Sequence, residues 1–329
     1  MKIALIGSGS GGHIYPCIAF YQYATSQNHS CVCFLFKEID KEIYKNKSIE
    51  TIFVNTKYSN YKKYKYLTKQ FKELEVDCVV TFGGKVSFIS ALAAKRCHLP
   101  LYICEQNIVF GKANRLSLLF ANKVFLSLPI KENKKYIYCG NPVVENFHYQ
   151  KVQLFSNHKP TILIVCGSLG SSSVIKKMKE FAQNETKLNF IFILGKNNTL
   201  SFDEQENIKV LPYYEPLRDL IYSCDLMISR AGATTISEII AANKPTILIP
   251  SPYVANNHQY KNALFLKKKE GCLLIEEKNL NPTILKEYIY KVIYSHYETY
   301  RMKKRLIELQ IKNPCQKMLA IIKENDDEK

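Results

Sequence analysis

Short apolar runs alternate with helix-like stretches along the whole chain, and this alternation restricts the fold more than any other feature of the sequence. The runs are short, continuous and rich in Val, Ile, Leu and Phe, as is typical of parallel strands buried on both faces. Ten strands are predicted, at residues 2–6, 31–36, 78–82, 101–104, 123–126, 161–166, 190–194, 208–211, 226–229 and 246–250. This pattern predicts an α/β protein with doubly wound parallel sheets.

The chain divides into two halves that begin alike. A strand runs into a Gly- and Ser-rich turn at residues 7–12, and again at residues 167–171. With 329 residues, two domains are expected. We predict a first Rossmann-like domain at residues 1–140 and a second Rossmann-like domain at residues 161–329, joined by a linker at 141–160. The C-terminal helix is an element that could cross back to the first domain. Ligands are then expected in a central cleft, at the carboxyl ends of the strands.

The net charge of the chain favours anionic partners but does not distinguish between the classes of anionic partner. Forty-six Lys and Arg against 29 Asp and Glu give a formal net charge of +17, which attracts nucleic acid, anionic lipid and phosphorylated ligands. No zinc finger or RNP signature supports a nucleic-acid-binding protein, and we expect no nucleic-acid partner. No apolar segment approaches the length needed to span a bilayer, and the scattered cysteines indicate a reducing compartment.

Two turns in the first half have the composition of phosphate-binding loops. Residues 7–12 read Gly-Ser-Gly-Ser-Gly-Gly and residues 82–85 read Phe-Gly-Gly-Lys, each between a strand and a helix. Backbone amides at such a junction converge on an anion, and a pyrophosphate is the natural ligand. His13, directly after the first turn, would accept a proton from an attacking hydroxyl, or would simply hydrogen-bond at the helix start.

The second half contains a corresponding junction at residues 229–238, which read Ser-Arg-Ala-Gly-Ala-Thr-Thr-Ile-Ser-Glu. Its amides, hydroxyls and carboxylate suit a nucleotide sugar, and Arg230 would stabilise charge on a departing diphosphate. The alternative for Glu238 is structural, because Thr235 and Glu238 have the spacing of a capping box.

Seven motifs, in order, resemble the MurG family of N-acetylglucosaminyltransferases over nearly the whole chain. They lie at residues 9–13, 82–84, 105–107, 140–143, 167–170, 229–238 and 256–263. The resemblance implies a GT-B fold and inverting, metal-independent transfer of N-acetylglucosamine, without a cofactor, from UDP-N-acetylglucosamine to O4 of the muramyl sugar of lipid I. Another lipid glycosyltransferase and a UDP-N-acetylglucosamine 2-epimerase are the alternatives on the same fold.

The family's functional residues transfer to matching positions of this chain. We predict catalytic roles for His13, as the base near the acceptor hydroxyl, and for Glu238. The acceptor diphosphate would contact Gly9, Gly11, Gly83, Gly84 and Lys85. The UDP-sugar would contact Ser10, Gly11, Gly12, Asn107, Ser168, Tyr214, Arg230, Ala233, Thr234, Thr235, Ser237, Glu238 and Gln259. The chain departs from the family pattern at Lys85, Cys104 and Val144, where an aromatic residue, a His and an Arg are usual.

A basic, aromatic stretch at residues 58–74 has helical spacing. Tyr58, Tyr61, Tyr64, Leu67, Phe71 and Leu74 alternate with Lys62, Lys63, Lys65, Lys69 and Lys72. Such a helix either lies on an anionic membrane surface or packs its aromatic face on the sheet with its lysines in water. With the first reading, we expect a peripheral protein at the cytoplasmic face of the cell membrane.

Overall fold

The computed structural model describes residues 1–146, 148–166, 172–195, 200–202 and 205–327. The chain forms two compact units. Unit 1 comprises Met1–Asn146 and Ile311–Lys329, and unit 2 comprises Phe147–Gln310. The C-terminal helix therefore belongs to unit 1. The chain first passes from unit 1 to unit 2 after Asn146, which lies inside the segment expected to be a linker.

The elements follow one another in βα alternation. The strands are β1 (Lys2–Ile6), β2 (Ser30–Leu35), β3 (Thr51–Phe53), β4 (Cys78–Thr81), β5 (Leu101–Glu105), β6 (Lys123–Leu126), β7 (Tyr136–Tyr138), β8 (Thr161–Val165), β9 (Asn189–Ile193), β10 (Ile208–Leu211), β11 (Leu226–Ser229), β12 (Thr246–Leu248) and β13 (Leu273–Leu274). The helices are α1 (Gly11–Ser26), α2 (Glu38–Lys45), α3 (Asn60–Glu73), α4 (Ser87–Arg96), α5 (Lys112–Ser117), α6 (Ser172–Gln183), α7 (Leu217–Ser223), α8 (Ala233–Ala241), α9 (His258–Lys268), α10 (Pro282–Ile293), α11 (His296–Glu308) and α12 (Pro314–Asp327).

Unit 1 is a seven-stranded parallel sheet, in the order β3-β2-β1-β4-β5-β6-β7, with helices on both faces. Alternate residues of a strand point to opposite faces, so each strand serves two cores. Ile3 and Leu5 of β1 pack with α1 and α12, whereas Ala4 and Ile6 pack with α3 and α4. Burial on both faces explains the unbroken apolar runs.

Unit 2 repeats the plan with six parallel strands, in the order β10-β9-β8-β11-β12-β13. Ile162 and Ile164 of β8 lie in a core to which α6, α10 and α11 contribute. The predicted fold class, two doubly wound parallel sheets, is confirmed. In both sheets the carboxyl ends of all strands lie at one edge.

The ten predicted strands are present, and the three that the sequence did not predict are β3, β7 and β13. Each of these lies at an edge of its sheet and has only two or three residues. Their residues are mostly partly exposed, so no continuous apolar run marks them. Among the described residues, no helix is both long and apolar enough to cross a bilayer.

Candidate active site

The first glycine turn lies at the carboxyl edge of the unit 1 sheet, between β1 and α1. Ser10 is the N-cap of α1, and its exposed side chain makes no capping hydrogen bond. Gly11 and Gly12 form the first turn of the helix, where N–H groups have no intrahelical acceptor. The turn therefore offers a hydroxyl and two amides to an anion, next to the positive end of the helix dipole.

Side chains of helix α2 hydrogen-bond to this turn, a contact that was not predicted from the sequence. The buried carboxylate of Asp40 accepts hydrogen bonds from the Ser8 hydroxyl and, at 3.2 Å, from the Gly9 N–H. The buried Tyr44 hydroxyl donates to the Gly7 carbonyl at 2.7 Å. The Gly9 N–H is thus bonded within the protein, and the contact of Gly9 with the acceptor diphosphate stays a prediction.

The second glycine turn packs directly against the first. Gly83 and Gly84 have φ of +100° and +90°, a region that side chains rarely adopt. A Cβ at Gly83 would lie 2.6 Å from Nδ1 of His13, so the absence of a side chain lets the imidazole fit there. Nδ1 of His13 is buried, and the side chain as a whole is half-buried. Lys85 follows the two glycines and is exposed.

Glu105 organises the third loop at this edge, after β5. Its buried carboxylate accepts bonds from the N–H groups of Asn107 and Gly111 at 3.1 and 3.2 Å, and from the Asn114 amide at 2.9 Å. Burial raises the pKa of Glu105, and these hydrogen bonds oppose the rise. The half-buried Asn107, predicted to lie by the sugar, also directs its side-chain amide to Glu105, at 3.4 Å.

In unit 2, the junction between β11 and α8 forms the corresponding site. Ala233, Thr234 and Thr235 are the first three residues of α8, so their N–H groups lie at its open end. The Thr234 Oγ1 atom is buried and has no hydrogen-bond partner among the described residues. The N-cap of α8 is Gly232, and the capping-box interpretation of Thr235 and Glu238 is therefore wrong.

Glu238 lies in the second turn of α8 and is an unusual carboxyl group. Burial raises its pKa from 4.5 to about 7, although the Arg218 guanidinium acts in the opposite direction. Perturbed carboxyl groups of this kind are concentrated at functional sites. Arg218 was not singled out from the sequence, because it lies in α7, 20 residues before Glu238.

Ser237 and Arg230, both predicted to contact the UDP-sugar, make contacts within unit 2. The Ser237 hydroxyl is buried and donates to the Ala233 carbonyl at 2.9 Å, so it is used within the helix. Arg230 is buried and pairs with Glu277 at 2.7 Å. The charge of Arg230 is thereby compensated by Glu277, and its role as a cation for a departing diphosphate stays a prediction. Burial raises the pKa of Glu277, but Ser173 and Arg230 more than offset this and leave it lowered.

Helix α9 braces the loops that follow β11 and β12. Gln259 accepts a hydrogen bond from the Ser251 N–H at 2.9 Å, which leaves its amide nitrogen for a ligand. The buried Asn262 donates to the Ala231 carbonyl at 3.3 Å, just before α8. Tyr214 is half-buried after β10. Ser168 lies outside the described residues.

A basic surface with exposed apolar side chains runs over α3, α4 and α5 of unit 1; we call it the α3–α5 surface. Tyr61, Leu116 and Leu119 are 62, 52 and 81% exposed. A cavity of about 560 Å³ opens there, lined by Asn60, Tyr61, Tyr64, Phe88, Ile89, Leu92, Lys95, Arg96 and His98. The exposed cations of these helices are Lys62, Lys65, Lys69, Lys72, Lys95, Arg96, Lys112 and Arg115.

Helix α3 packs part of its apolar face on the sheet, as one of the two alternatives predicted; contact with a membrane stays a prediction. Leu67 and Phe71 are buried, and the Phe71 ring meets Phe34 of β2 edge to face at 5.4 Å. Tyr61 and four of the five lysines of α3 are exposed, and Lys63 is half-buried. The helix is thus anchored in the core at its C-terminal half and presents a basic, aromatic face at its N-terminal half.

In the described part of the chain, no group of three or more His, Cys, Asp or Glu side chains is arranged to hold a metal ion. The eleven cysteines are free thiols, of which all but Cys97 are buried. Burial raises the pKa of Cys104 and Cys166, among others, so these thiols are unreactive.

Comparison with known proteins agrees with this architecture. Residues 3–126 match the glycosyltransferase family 28 N-terminal domain, and residues 161–318 match the corresponding C-terminal domain. The chain is 32% identical to the UDP-N-acetylglucosamine–N-acetylmuramyl-(pentapeptide) pyrophosphoryl-undecaprenol N-acetylglucosamine transferase of Caldicellulosiruptor saccharolyticus, over 89% of this chain and 90% of the relative. It is 29% identical to the transferase of the same name from a Sulfurihydrogenibium species, over 98 and 97%.

Among solved structures, MurG of Acinetobacter baumannii superposes with a TM-score of 0.82 at 21% identity, covering 98% of this chain and all of that one. At this identity the superposition bears on the fold alone. It confirms the GT-B architecture that the sequence motifs implied.

Proposed function

The chain belongs to the MurG family of glycosyltransferases, within glycosyltransferase family 28, and we propose that it completes a lipid-linked disaccharide. The donor is UDP-N-acetylglucosamine and the acceptor is N-acetylmuramyl-(pentapeptide) pyrophosphoryl-undecaprenol, or lipid I. The product is lipid II for peptidoglycan synthesis. The observation that carries this proposal is the similarity to transferases of that name over about nine tenths of both chains.

The donor is assigned to unit 2. The open N-terminus of α8 suits the diphosphate of UDP, because helix N–H groups and the helix dipole stabilise negative charge. The buried Thr234 hydroxyl there has no partner in the part of the chain that the structure describes, and a ligand oxygen would satisfy it. Glu238 would accept bonds from sugar or ribose hydroxyls, and the free amide nitrogen of Gln259 would donate to one. Tyr214 is proposed to lie against the uracil.

The acceptor diphosphate is assigned to the paired glycine turns of unit 1. Gly11 and Gly12 offer N–H groups from the first turn of α1. Gly83 and Gly84 have positive φ, and the backbone at Gly83 packs against the His13 ring, which follows Gly12. Lys85 is exposed beside these turns and would add a positive charge. Two sets of amides serve a ligand that is itself a diphosphate.

The chemistry is a single displacement at the anomeric carbon. The bond from C1 to the diphosphate oxygen of UDP breaks, and the bond from C1 to O4 of the muramyl sugar forms with inversion. The O4 proton passes to a base, for which His13 is proposed, and the negative charge stays on UDP at the α8 N-terminus. Direct displacement requires no protein nucleophile.

We assign the α3–α5 surface to docking on an anionic bilayer. A lipid-linked acceptor requires its enzyme at the membrane, and the surface combines exposed Tyr61, Leu116 and Leu119 with a rim of cations. Aromatic and aliphatic side chains insert at the headgroup level while Lys and Arg bind anionic headgroups. The proposed location is therefore the cytoplasmic face of the cell membrane.

The transfer is tested with radiolabelled UDP-N-acetylglucosamine and a soluble lipid I analogue. We expect one UDP for each disaccharide, a β-linked product, and no product from an analogue that lacks the O4 hydroxyl. Conversion of the UDP-sugar without acceptor would indicate an epimerase or hydrolase. Glu238→Gln should weaken donor binding at least tenfold, whereas Glu287→Gln, an exposed carboxylate of unit 2, should not.

Docking is tested by co-sedimentation with phosphatidylglycerol and phosphatidylcholine vesicles. Each lysine near an anionic surface contributes about 1 kcal/mol, so Lys62→Gln/Lys65→Gln should weaken binding to the anionic vesicles by about 30-fold. The matched control is Lys303→Gln/Lys304→Gln, which removes the same charge from exposed positions of unit 2. Equal effects of the two double variants would exclude α3 from docking.

A further inference from the structure

Helix α2 contacts every residue of the first glycine turn from Gly7 to Gly9. Asp40 and Tyr44 fix Gly7, Ser8 and the N–H of Gly9, and both side chains are fully buried. The Ser8 hydroxyl also accepts the N–H of Phe36, at 3.2 Å, which links the turn to the end of β2. The turn is thus held by hydrogen bonds before any ligand arrives.

Lys37 is the remaining member of this arrangement and differs from the others in being exposed. It is the N-cap of α2, and its Nζ donates to the Gly9 carbonyl at 3.3 Å. The same Nζ lies 3.6 Å from the place where a Cβ on Gly9 would stand, so the ammonium rests on the turn itself. Asp40 directs its bonded oxygen to Ser8 and Gly9.

The ammonium of Lys37 therefore has a neutral carbonyl as its partner, one residue before the exposed N-cap Ser10. A phosphate oxygen is a stronger partner for the ammonium, because it carries a negative charge that attracts the cation, which a neutral carbonyl oxygen does not. The lysine also follows the second strand of a Rossmann-like domain, where dinucleotide-binding proteins carry an acidic residue for ribose. A cation at this position favours a phosphate ligand instead.

We propose that Lys37 is a ligand of the diphosphate that binds at the first glycine turn. The proposal rests on the assignment of the acceptor diphosphate to this turn. Lys37 then supplies a positive charge to a diphosphate-bearing acceptor, while Asp40 and Tyr44 keep the amides of the turn in place. Because Lys37 is on α2 of unit 1, its effect falls on the acceptor and not on the UDP-sugar.

The direct test is titration of the full chain with inorganic pyrophosphate, followed by calorimetry. Lys37→Met should raise the dissociation constant about tenfold or more, since a hydrogen bond to a charged group contributes about 1.5 to 3 kcal/mol. Lys37→Arg should retain most of the affinity. Lys45→Met is the matched control, because it removes the same charge from an exposed position in the last turn of the same helix.

Equal weakening in Lys37→Met and Lys45→Met would overturn the proposal, since it would reflect only the general field of α2. Absence of pyrophosphate binding by the parent chain would overturn it as well. In the transfer assay, Lys37→Met should raise KM for the lipid I analogue and leave KM for UDP-N-acetylglucosamine within about twofold. Pyrophosphate binding that depends on Lys37 in a chain without transferase activity would refute the proposed function and leave this inference standing.

Discussion

Replacing Glu238 with Gln should change the pH dependence of stability in a defined direction. The carboxyl group of Glu238 is partly buried in α8, and burial raises its pKa from 4.5 to about 7 against the influence of Arg218. An ionised carboxylate at this position is therefore a cost to the ligand-free fold near neutral pH. Gln keeps the size of the side chain and removes the charge.

The sign follows from comparing the folded and unfolded chains. Below about pH 4.5 the group is protonated in both, and its ionisation has no effect on stability. Between pH 4.5 and 7 the unfolded chain loses this proton while the folded chain keeps it, so the free energy of unfolding falls as the pH rises. Above pH 7 the group is ionised in both states, and the free energy of unfolding falls no further on its account. One pKa unit is worth about 1.4 kcal/mol, which bounds the effect at about 3 kcal/mol, and partial exposure reduces it to about 1 to 2 kcal/mol.

The measurement is urea unfolding of the ligand-free chain at pH 5, 6, 7 and 8. The chain has no Trp, so circular dichroism or the fluorescence of its 22 Tyr residues reports the transition. We expect Glu238→Gln to gain stability relative to the parent by about 1 to 2 kcal/mol between pH 5 and pH 8. Glu287→Gln, at an exposed position, should show no such trend. A difference between Glu238→Gln and the parent that is constant over this range would refute the reasoning.

The same substitution should weaken donor binding while it raises the stability of the free protein. A group that destabilises the free protein and is needed for the ligand is typical of an active site. Glu238→Gln should therefore be more stable than the parent at pH 8 and yet bind UDP-N-acetylglucosamine more weakly. A variant that gained stability and kept full affinity would remove Glu238 from the donor site.

Three further outcomes follow from the geometry. Gly83→Ala should destabilise unit 1 by about 1 to 2 kcal/mol and raise the acceptor KM, because the new Cβ meets the His13 ring in a backbone conformation that suits glycine; unchanged urea unfolding would contradict this. His13→Ala should lower kcat by about 100-fold or more with little change in UDP affinity, and near-normal turnover would exclude it as the base. Arg230→Met should cost up to about 3 kcal/mol in urea unfolding, because the half-buried Glu277 would lose its cation and keep only the Ser173 hydroxyl. Arg230→Met/Glu277→Leu should recover much of that loss, and equal stability of the two variants would argue against a coupled pair.

Local sequence patterns were sufficient for the ten longer strands and for the turns that follow them. Burial on both faces requires continuous apolar runs, and a strand-to-helix turn of this kind requires glycine, so both leave marks within a few residues. The position of Ser10, Gly83 and Ala233 at open helix ends or tight turns was predicted on these grounds. The edge strands β3, β7 and β13 carry no such mark, because their residues are largely half-exposed.

The burial and the hydrogen-bond or ion-pair partners of individual side chains depend on residues far away in the sequence. Asp40 looks like part of a solvated, charged helix, yet it is buried against Ser8 and Gly9. Arg230 pairs with Glu277, 47 residues later, in an ion pair that the local sequence around Arg230 does not indicate. Composition and spacing describe what a segment is able to form, whereas desolvation and charge pairing are set by which segments pack together, and only the tertiary structure determines that packing.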